Sequence, residues 1–349
     1  MKINLKYIIA IFAILGCINV SMDIKYRRKE FIKSDNYRNI YENPLIEKLT
    51  KTTTNQIYRT VNVGLTRSSS NMKSESNFYP FYVCAAGMES ADGYLGLYSY
   101  RYQQFWGEVI RPIRNKVPEI DSIWQSKPIH IYLYSTIELQ KELIEIPISD
   151  YYNFELLSLA NVKYFISLKQ LKHKHLKQLF GPDSIKDNQF IYKNKIQKLI
   201  SLYRGSFPHK KLYIYENEKA FDRFFFVTGQ KSFQNKTSLL NAMSHASLND
   251  LKTNLYSIGN QSTIPQDNDY SIQNLNIQSD WITLDIQTNN DGYLIVTNNY
   301  SKFWQCKVNG KMSDIIPAFI TFQAIPLKKG IHNIQLFYKP WWSFSSIFN

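Results

Sequence analysis

From residue 265 onward the chain shows the two-residue alternation of β-strands and no helical period, which points to an all-β module. "WITLDIQT" (281–288) puts Ile282, Leu284 and Ile286 on one face. "DGYLIVTN" (291–298), "FITFQAIPL" (319–327) and "IHNIQLFYK" (331–339) follow with short connections. Between them, Asn309-Gly310 marks a tight hairpin, because both residues tolerate the positive φ of a type I′ turn. Short strands at this spacing predict an antiparallel β-sandwich of jelly-roll-like type over 265–340.

Upstream the pattern is mixed. "YRTVNVGL" (58–65) and "KPIHIYLYS" (127–135) read as strands, and a Ser-rich run at 68–76 breaks the first. "YNFELLSLANVKYFISL" (152–168) reads as a helix followed by a strand from Val162. A Lys-rich helix is expected at 193–204, then two apolar strands around a polar turn in "KLYIYENEKAFDRFFFV" (211–227). "KTSLLNAMSHAS" (236–247) reads as a helix with Thr237 or Ser238 as N-cap. Strands alternating with helices predict a mixed α/β domain over 58–258, so the chain as a whole is of α+β class.

Composition supports a folded protein. Hydrophobic residues make up 44% of 349, enough for a real core in roughly two domains. Tyr (25) and Phe (21) outnumber Gly (13), which favours aromatic-faced sheets over a glycine-rich nucleotide fold. The net charge of +14 attracts polyanions such as anionic lipid head groups or phosphate-linked carriers. The charge is spread, and no recognition-helix, zinc-finger or RNP-type motif supports nucleic-acid binding.

Lys2 and Lys6 precede an apolar run from Tyr7 to Val20, interrupted by Gly16, Cys17 and Asn19. The run is shorter than the ~20 residues that cross a bilayer comfortably. It reads either as a short transmembrane helix or as a signal segment, over 1–22. In the second case Ile14-Leu15-Gly16-Cys17 resembles a bacterial lipobox, with Cys17 as the lipidated residue. A buried helix of a soluble protein is the bland alternative. Lys25, Arg27, Arg28 and Lys29 outnumber the basic residues before the run, which taken alone favours the reverse orientation. Residues 23–57 read as a polar juxtamembrane linker.

Chemistry-bearing motifs are few. Cys17, Cys84 and Cys306 are far apart, with neither metal spacing nor a disulfide framework. His173 and His175 sit in a Lys-rich stretch and read as a solvated helix face rather than a ligand pair. There is no G-x-S-x-G, P-loop, H-E-x-x-H or G-x-G-x-x-G, so no cofactor, metal or nucleophile is expected. Glu119 and Asp121, two apart, say nothing of a glycosidase pair, which is a spatial relation.

The best ligand candidates are in "ESADGYLGLYSYRYQQFWGEVIRPI" (89–113): Asp92, Tyr94, Arg101 and Tyr102. A carboxylate, a guanidinium and phenols beside an Asp-Gly turn suit sugar hydroxyls or a phosphate. Turn chemistry plus helix packing is the simpler account. Tyr98, Tyr102, Phe105, Trp106, Val109 and Ile113 fall on one helical face, which is core spacing; a polyisoprenoid or sugar lining is the other reading.

Several segments in order carry a family resemblance. "DGYLIVTNNYSKFWQCKVNGK" followed by "ITFQAIPLKKGIHNIQLFYKP" resembles the terminal β-sandwich of YfhO-type bacterial membrane proteins, multi-pass relatives of the GT-C polyprenyl-phosphate-sugar glycosyltransferases. The matching elements are Tyr300, Trp304, Val308-Asn309-Gly310-Lys311, Ala324-Ile325-Pro326-Leu327, Gly330, His332, Phe337, Tyr338 and Pro340. "LANVKYFIS" (159–167) is similar to the family's N-V-K-Y strand, and "LYIYENEKAFDRFFFV" to its Y-e-N-p…P-R segment, with Asp222 where Pro is usual. "ADGYLGLYSYRYQQFW" is similar to its G-Y…Y-x-x-r-Y stretch. The resemblance makes Trp304 a fifth ligand candidate.

The resemblance implies an extracytoplasmic position on the cell membrane for the bulk of the chain. It also implies that catalysis in relatives uses an acidic residue in an early loop between transmembrane helices. This sequence has at most one such helix, and "WWSFSSIFN" (341–349) reads as the truncated start of another, so the chain looks like a truncated or detached tail. The expected function is an accessory or binding domain of a GT-C-like glycosyltransferase system for cell-surface glycans, without its own catalytic loop. Expected partners are the membrane, a multi-pass glycosyltransferase subunit, and a glycan or polyprenyl-phosphate-linked sugar. The alternative is a free-standing lipoprotein carbohydrate-binding module.

Overall fold

A computed structural model describes residues 12–22, 43–53, 57–66, 81–94, 98–126, 130–135, 143–184 and 211–340. The Ser-rich run, the Lys-rich helix expected at 193–204, most of the linker expected over 23–57 and residues 341–349 lie outside them; within that linker range Pro44–Thr52 is a helix that buries Leu45, Ile46 and Leu49.

The first part is built on a six-stranded mixed sheet. Its order is Glu89–Ser90, Arg59–Thr66, Val162–Ser167, Tyr213–Asn217, Leu176–Phe180, with Leu133–Ser135 also on Arg59–Thr66. The pairings of Arg59–Thr66 are parallel and those of Tyr213–Asn217 antiparallel. Helices Tyr100–Val109, Arg111–Lys116, Pro118–Ser126 and Phe154–Leu159 pack on it. Ser99 caps the first of these, and its stripe Tyr102, Phe105, Trp106 and Val109 is buried as the helical spacing predicts.

The C-terminal part is a sandwich of two antiparallel sheets. The inner sheet has the order Phe224–Val227, Gly292–Val296, Phe322–Leu327, Ile316–Ala318. The outer one has the order Tyr270–Ile277, Trp281–Thr288, Gly330–Tyr338, Trp304–Val308, Lys311–Ser313. Ile282, Leu284, Ile286, Ile334 and Leu336 of the outer sheet meet Phe224, Phe226, Leu294 and Ile325 of the inner. The opposite face of the inner sheet, with Phe225, Val227, Ile295 and Ala324, joins the core of the mixed sheet. This double burial explains why "FFFV" is an unbroken apolar run: alternate residues serve different cores. One strand of the sandwich, Phe224–Val227, therefore precedes position 258, and the chain re-enters the sandwich at Tyr270.

Between those strands lies a small crossover: parallel strands Gly229–Phe233 and Asn254–Ile258 joined through helices Lys236–Ser244 and Leu248–Thr253. The N-cap of the first helix is Asn235, not Thr237 or Ser238; Ser238 is the third helical residue and closes a capping box with Asn235. The two apolar strands of 211–227 do not form a hairpin, since Tyr213–Asn217 and Phe224–Val227 belong to different sheets. His173 and His175 are on no helix. They sit where strand Gln170–Lys172 turns into Leu176–Phe180, and His173 stacks on Phe154 with ring centroids 3.7 Å apart. Burial lowers the His173 pKa to about 4, so the ring is neutral.

The N-terminal membrane helix is not supported by the described residues. They contain a helix over 12–22, about 16 Å long at ~1.5 Å per residue, against a hydrocarbon core of ~30 Å. Among the described residues no helix is long and apolar enough to cross a membrane. Residues 1–11 lie outside them, and Cys17 is exposed on the helix.

Candidate functional site

A polar constellation that joins three distant segments lies at the edge of the mixed sheet where it meets the sandwich. Arg59 opens the first strand of that sheet, Glu89 the neighbouring short strand, and Arg223 the run into the sandwich. Arg223 Nη1 lies 2.5 Å from Glu89 Oε2 and Arg59 Nε 3.5 Å from the same oxygen. The two arginine side chains keep only 12% and 10% of their surface, while Glu89 keeps 50%. Arg59 Nη1 also donates to the Ala160 carbonyl at 3.1 Å and reaches Thr297 Oγ1 at 3.5 Å. Three distant segments are thus tied at one carboxylate.

The electrostatics follow from that enclosure. Burial lowers the Arg59 pKa to about 10, assisted by the nearby Arg223 charge. For Glu89 burial pushes upward, but the charges of Arg223 and Arg59 outweigh it and hold the carboxyl below its ordinary value. Asp92 is a different case. It is 3% exposed, and burial raises its pKa to about 7 against hydrogen bonds from Ser90 Oγ (2.6 Å) and the Asn62 amide (3.2 Å). The carboxyl of Asp92 is enclosed; that of Glu89 is ionised and half-exposed.

Glu89 opens into a cleft of about 490 Å³ lined by Tyr58, Met88, Tyr164 and Ile277 among others. Tyr58 Oη donates to Asp222 at 2.8 Å, and Asp222 lines a second cleft of about 380 Å³ with Lys219, Lys252 and Tyr270. Asp222 thus gives Tyr58 its acceptor.

The sequence-derived candidates are only partly brought together. Asp92 and Tyr102 are neighbours: the Tyr102 hydroxyl donates to the Ala91 carbonyl, and the phenol is buried with its pKa pushed up by desolvation. Arg101, on the same helix, points elsewhere. It donates to the Ile320 carbonyl at 3.3 Å and lies 5.4 Å over the Tyr300 ring, clamping the helix to the sandwich. The clamped segment is itself strained, with Phe319 (φ 47°) and Ile320 (φ 65°) both left-handed and buried. The Tyr94 side chain lies outside the described residues; its backbone pairs with His130. Trp304 is remote on the outer sheet, turned inward against Tyr338 with centroids 5.5 Å apart.

Sequence reasoning missed Arg59, Glu89 and Arg223 as a unit. The available signal was weak: Arg223 and Arg59 stand at the starts of apolar strands, where a charged residue needs a partner. The quoted family-like segments turn out to hold buried polar joints. Asn161 (φ 63°) donates to the Phe221 carbonyl at 2.8 Å. Asn217 donates to Ser158 Oγ and the Val162 carbonyl, both at 2.9 Å. Among the described residues no group of three His, Cys, Asp or Glu could hold a metal ion. Chemically, the constellation is a joint of two arginines on one shared carboxylate, with positive charge in excess and one exposed carboxylate edge.

Residues 222–347 match the family described as Bacterial membrane protein YfhO. The matched stretch covers the sandwich from its first strand and begins one residue before Arg223. No curated protein and no solved structure matches the chain.

Proposed function

We propose, from a C-terminal region of YfhO type, that this chain is a membrane-associated accessory or binding domain of a glycosyltransferase-type system for cell-surface glycans. In this reading the bulk of the chain stands outside the cytoplasm. Its partners are the membrane, a multi-pass glycosyltransferase subunit, and a glycan or polyprenyl-phosphate-linked sugar.

The observation that carries the reading is the match over 222–347 to a family of bacterial membrane proteins. The link to sugar transfer comes with the sequence resemblance stated above. The site geometry favours binding over transfer: Asp92 is sealed under Ser90 and the Asn62 amide, and Glu89 is held in ion pairs by two arginines. A general acid or base must reach a proton on the substrate. Attachment would come from the apolar run through residue 20, as a span or through Cys17 as a lipid anchor.

Fractionation and reporter fusions test this. The full chain is expected in the membrane pellet after alkaline carbonate washing. An alkaline phosphatase fused after Tyr338 is expected to be active, and a fluorescent cytoplasmic reporter there dark. Basic residues 25–29 do not forbid this orientation, because long domains translocate largely regardless of charge. A soluble chain, or the reverse reporter pattern, overturns the reading.

A further inference from the structure

We infer that the outward face of the outer sheet, centred on Trp281, binds a neutral oligosaccharide. The choice of a glycan rests on the function proposed above, while the face itself is read from geometry alone.

Alternation along each strand separates the two faces. Ile282, Leu284, Ile334, Leu336 and Cys306 point into the sandwich, so their chain neighbours point out. At one end of the outward face Trp281, Phe337 and Gln305 stand in one cross-strand row. The Trp281 and Phe337 rings are 28° from parallel with centroids 5.8 Å apart. On the other side of Phe337, Lys307 Nζ lies 5.8 Å from its centroid. Phe337 is thus held between the indole and an ammonium, and Trp281 remains 39% exposed. Large aromatics usually bury such surface.

The next rows are polar. Thr283, Gln335 and Lys307 stand side by side, followed by Asp285 and Asn333. Here the side chains hold one another in place. Asp285 accepts from Asn274 Nδ2 at 2.6 Å and from Asn333 Nδ2 at 2.8 Å, and Gln335 Nε2 donates to Asn333 Oδ1 at 3.2 Å. A supported aromatic surface beside an ordered ladder of amides and a carboxylate suits a pyranose: its C–H face packs on the indole while its hydroxyls exchange hydrogen bonds with the ladder.

Charge decides the class of ligand. The chain carries +14, yet the outward residues of these strands include only Asp285 and Lys307 as charged groups. A face that is neutral on a strongly basic protein does not recruit a polyanion or an anionic bilayer. It fits an uncharged, hydroxyl-rich chain.

Intrinsic fluorescence and calorimetry of the detergent-purified full chain, titrated with neutral oligosaccharides of three to six hexose or N-acetylhexosamine units, test the inference. At least one is expected to bind. Trp281→Ala should weaken it about tenfold, the loss of one aromatic contact of ~1.4 kcal/mol, and Trp281→Phe should retain most of it. Gln335→Ala should weaken it by a smaller factor with the melting temperature unchanged. Absence of binding by every sugar, or binding that Trp281→Ala and Gln335→Ala leave intact, overturns the inference, as does preferential binding of anionic phospholipid vesicles to this face. Because binding is measured in solution, it can fail while membrane association and export hold, and it can succeed where they fail.

Discussion

The two halves of the molecule bury different chemistry. The sandwich core is largely apolar: Phe224, Phe226, Ile282, Leu284, Ile334, Leu336 and their neighbours, with Thr288 and Gln323 as buried polar residues on its strands and Cys306 as a small hydrophobe whose thiol burial pushes up to about 12. The mixed sheet buries Asn62, Asp92, Ser158, Asn161, Asn217 and Arg223 beside its aromatic residues. An apolar core tolerates substitutions of similar volume, because hydrophobic burial has no direction. A buried polar network has direction, and a half-satisfied one is costly. The sandwich is therefore the forgiving half, free to present a variable outer face. The mixed half is the demanding one, and its joints fix how the sandwich is carried.

Trp106→Ala should produce the largest effect. The indole is fully buried, and its N–H donates to the Tyr132 carbonyl at 3.1 Å. Its removal leaves a cavity and an orphaned acceptor, for a loss of about 5 kcal/mol by chemical denaturation. The Asn309-Gly310 hairpin, far from it on the outer sheet, should keep its amide protection until global unfolding. A loss below about 2 kcal/mol would show the demanding half to be as forgiving as the sandwich.

Asp92→Asn isolates the polar contribution through pH. The folded pKa is raised by burial to about 7, while the unfolded value is ~3.9. Between those values the native chain holds a proton that the unfolded chain has released. The stability from Asp92 is therefore fully present below about pH 4 and lost as pH rises through 7. Asparagine does not titrate, so the variant should gain on the parent by about 4 kcal/mol between pH 4 and pH 8. Cys84 and Tyr102, the titratable groups that feel the Asp92 charge, are common to both proteins. A gap that stays constant with pH would mean that the Asp92 carboxyl is solvated.

Gly292→Ala probes the seam. A Cβ there would sit 2.3 Å from the Val227 carbonyl oxygen and 2.7 Å from the Phe226 ring, inside the pairing of Phe224–Val227 with Gly292–Val296. Moving a backbone oxygen strains the strand shared by both cores, and about 2 kcal/mol of destabilisation is expected. If calorimetry of the variant shows two transitions in place of one, the two halves unfold separately once the seam is loosened.

The legible part of the fold is what alternation and turn chemistry encode locally. "WITLDIQT" and "IHNIQLFYK" gave their faces directly, since Ile282, Leu284, Ile286, Ile334 and Leu336 are all inward. The stripe from Tyr102 to Ile113 gave the core helices. What could not be read was adjacency between distant segments. Nothing local says that Glu89 meets both Arg59 and Arg223, or that Phe224–Val227 leaves its neighbour Tyr213–Asn217 for another sheet. Asp92 and Tyr102 are neighbours because one turn and one helix place them; Arg101, one residue away, faces about 100° around that helix and serves the sandwich instead. Trp304 is a candidate through the family resemblance, yet Cys306 two residues on is buried, so the strand's period turns Trp304 inward with it.

Gly310→Ala should be the smallest effect, and it sharpens the claim that the sandwich is the forgiving half. Asn309 and Gly310 both take positive φ, 52° and 78°, as a type I′ turn requires, and they join Trp304–Val308 to the edge strand Lys311–Ser313. A Cβ on Gly310 would meet no atom within 4 Å, so its cost is conformational alone. An L-residue in that region costs about 1 kcal/mol. The edge strand has only three ladder residues to lose, and Asn309 is tied independently to Asn333 through its amide N–H and its side chain, both at 2.8 Å. The loss should therefore stay near 1 kcal/mol and leave the Trp281 face intact, readable as unchanged indole fluorescence alongside a small shift of the denaturation midpoint. A loss of several kcal/mol would mean that the hairpin organises the outer sheet, and that the sandwich depends on a local turn as strictly as the mixed half depends on its buried polar joints.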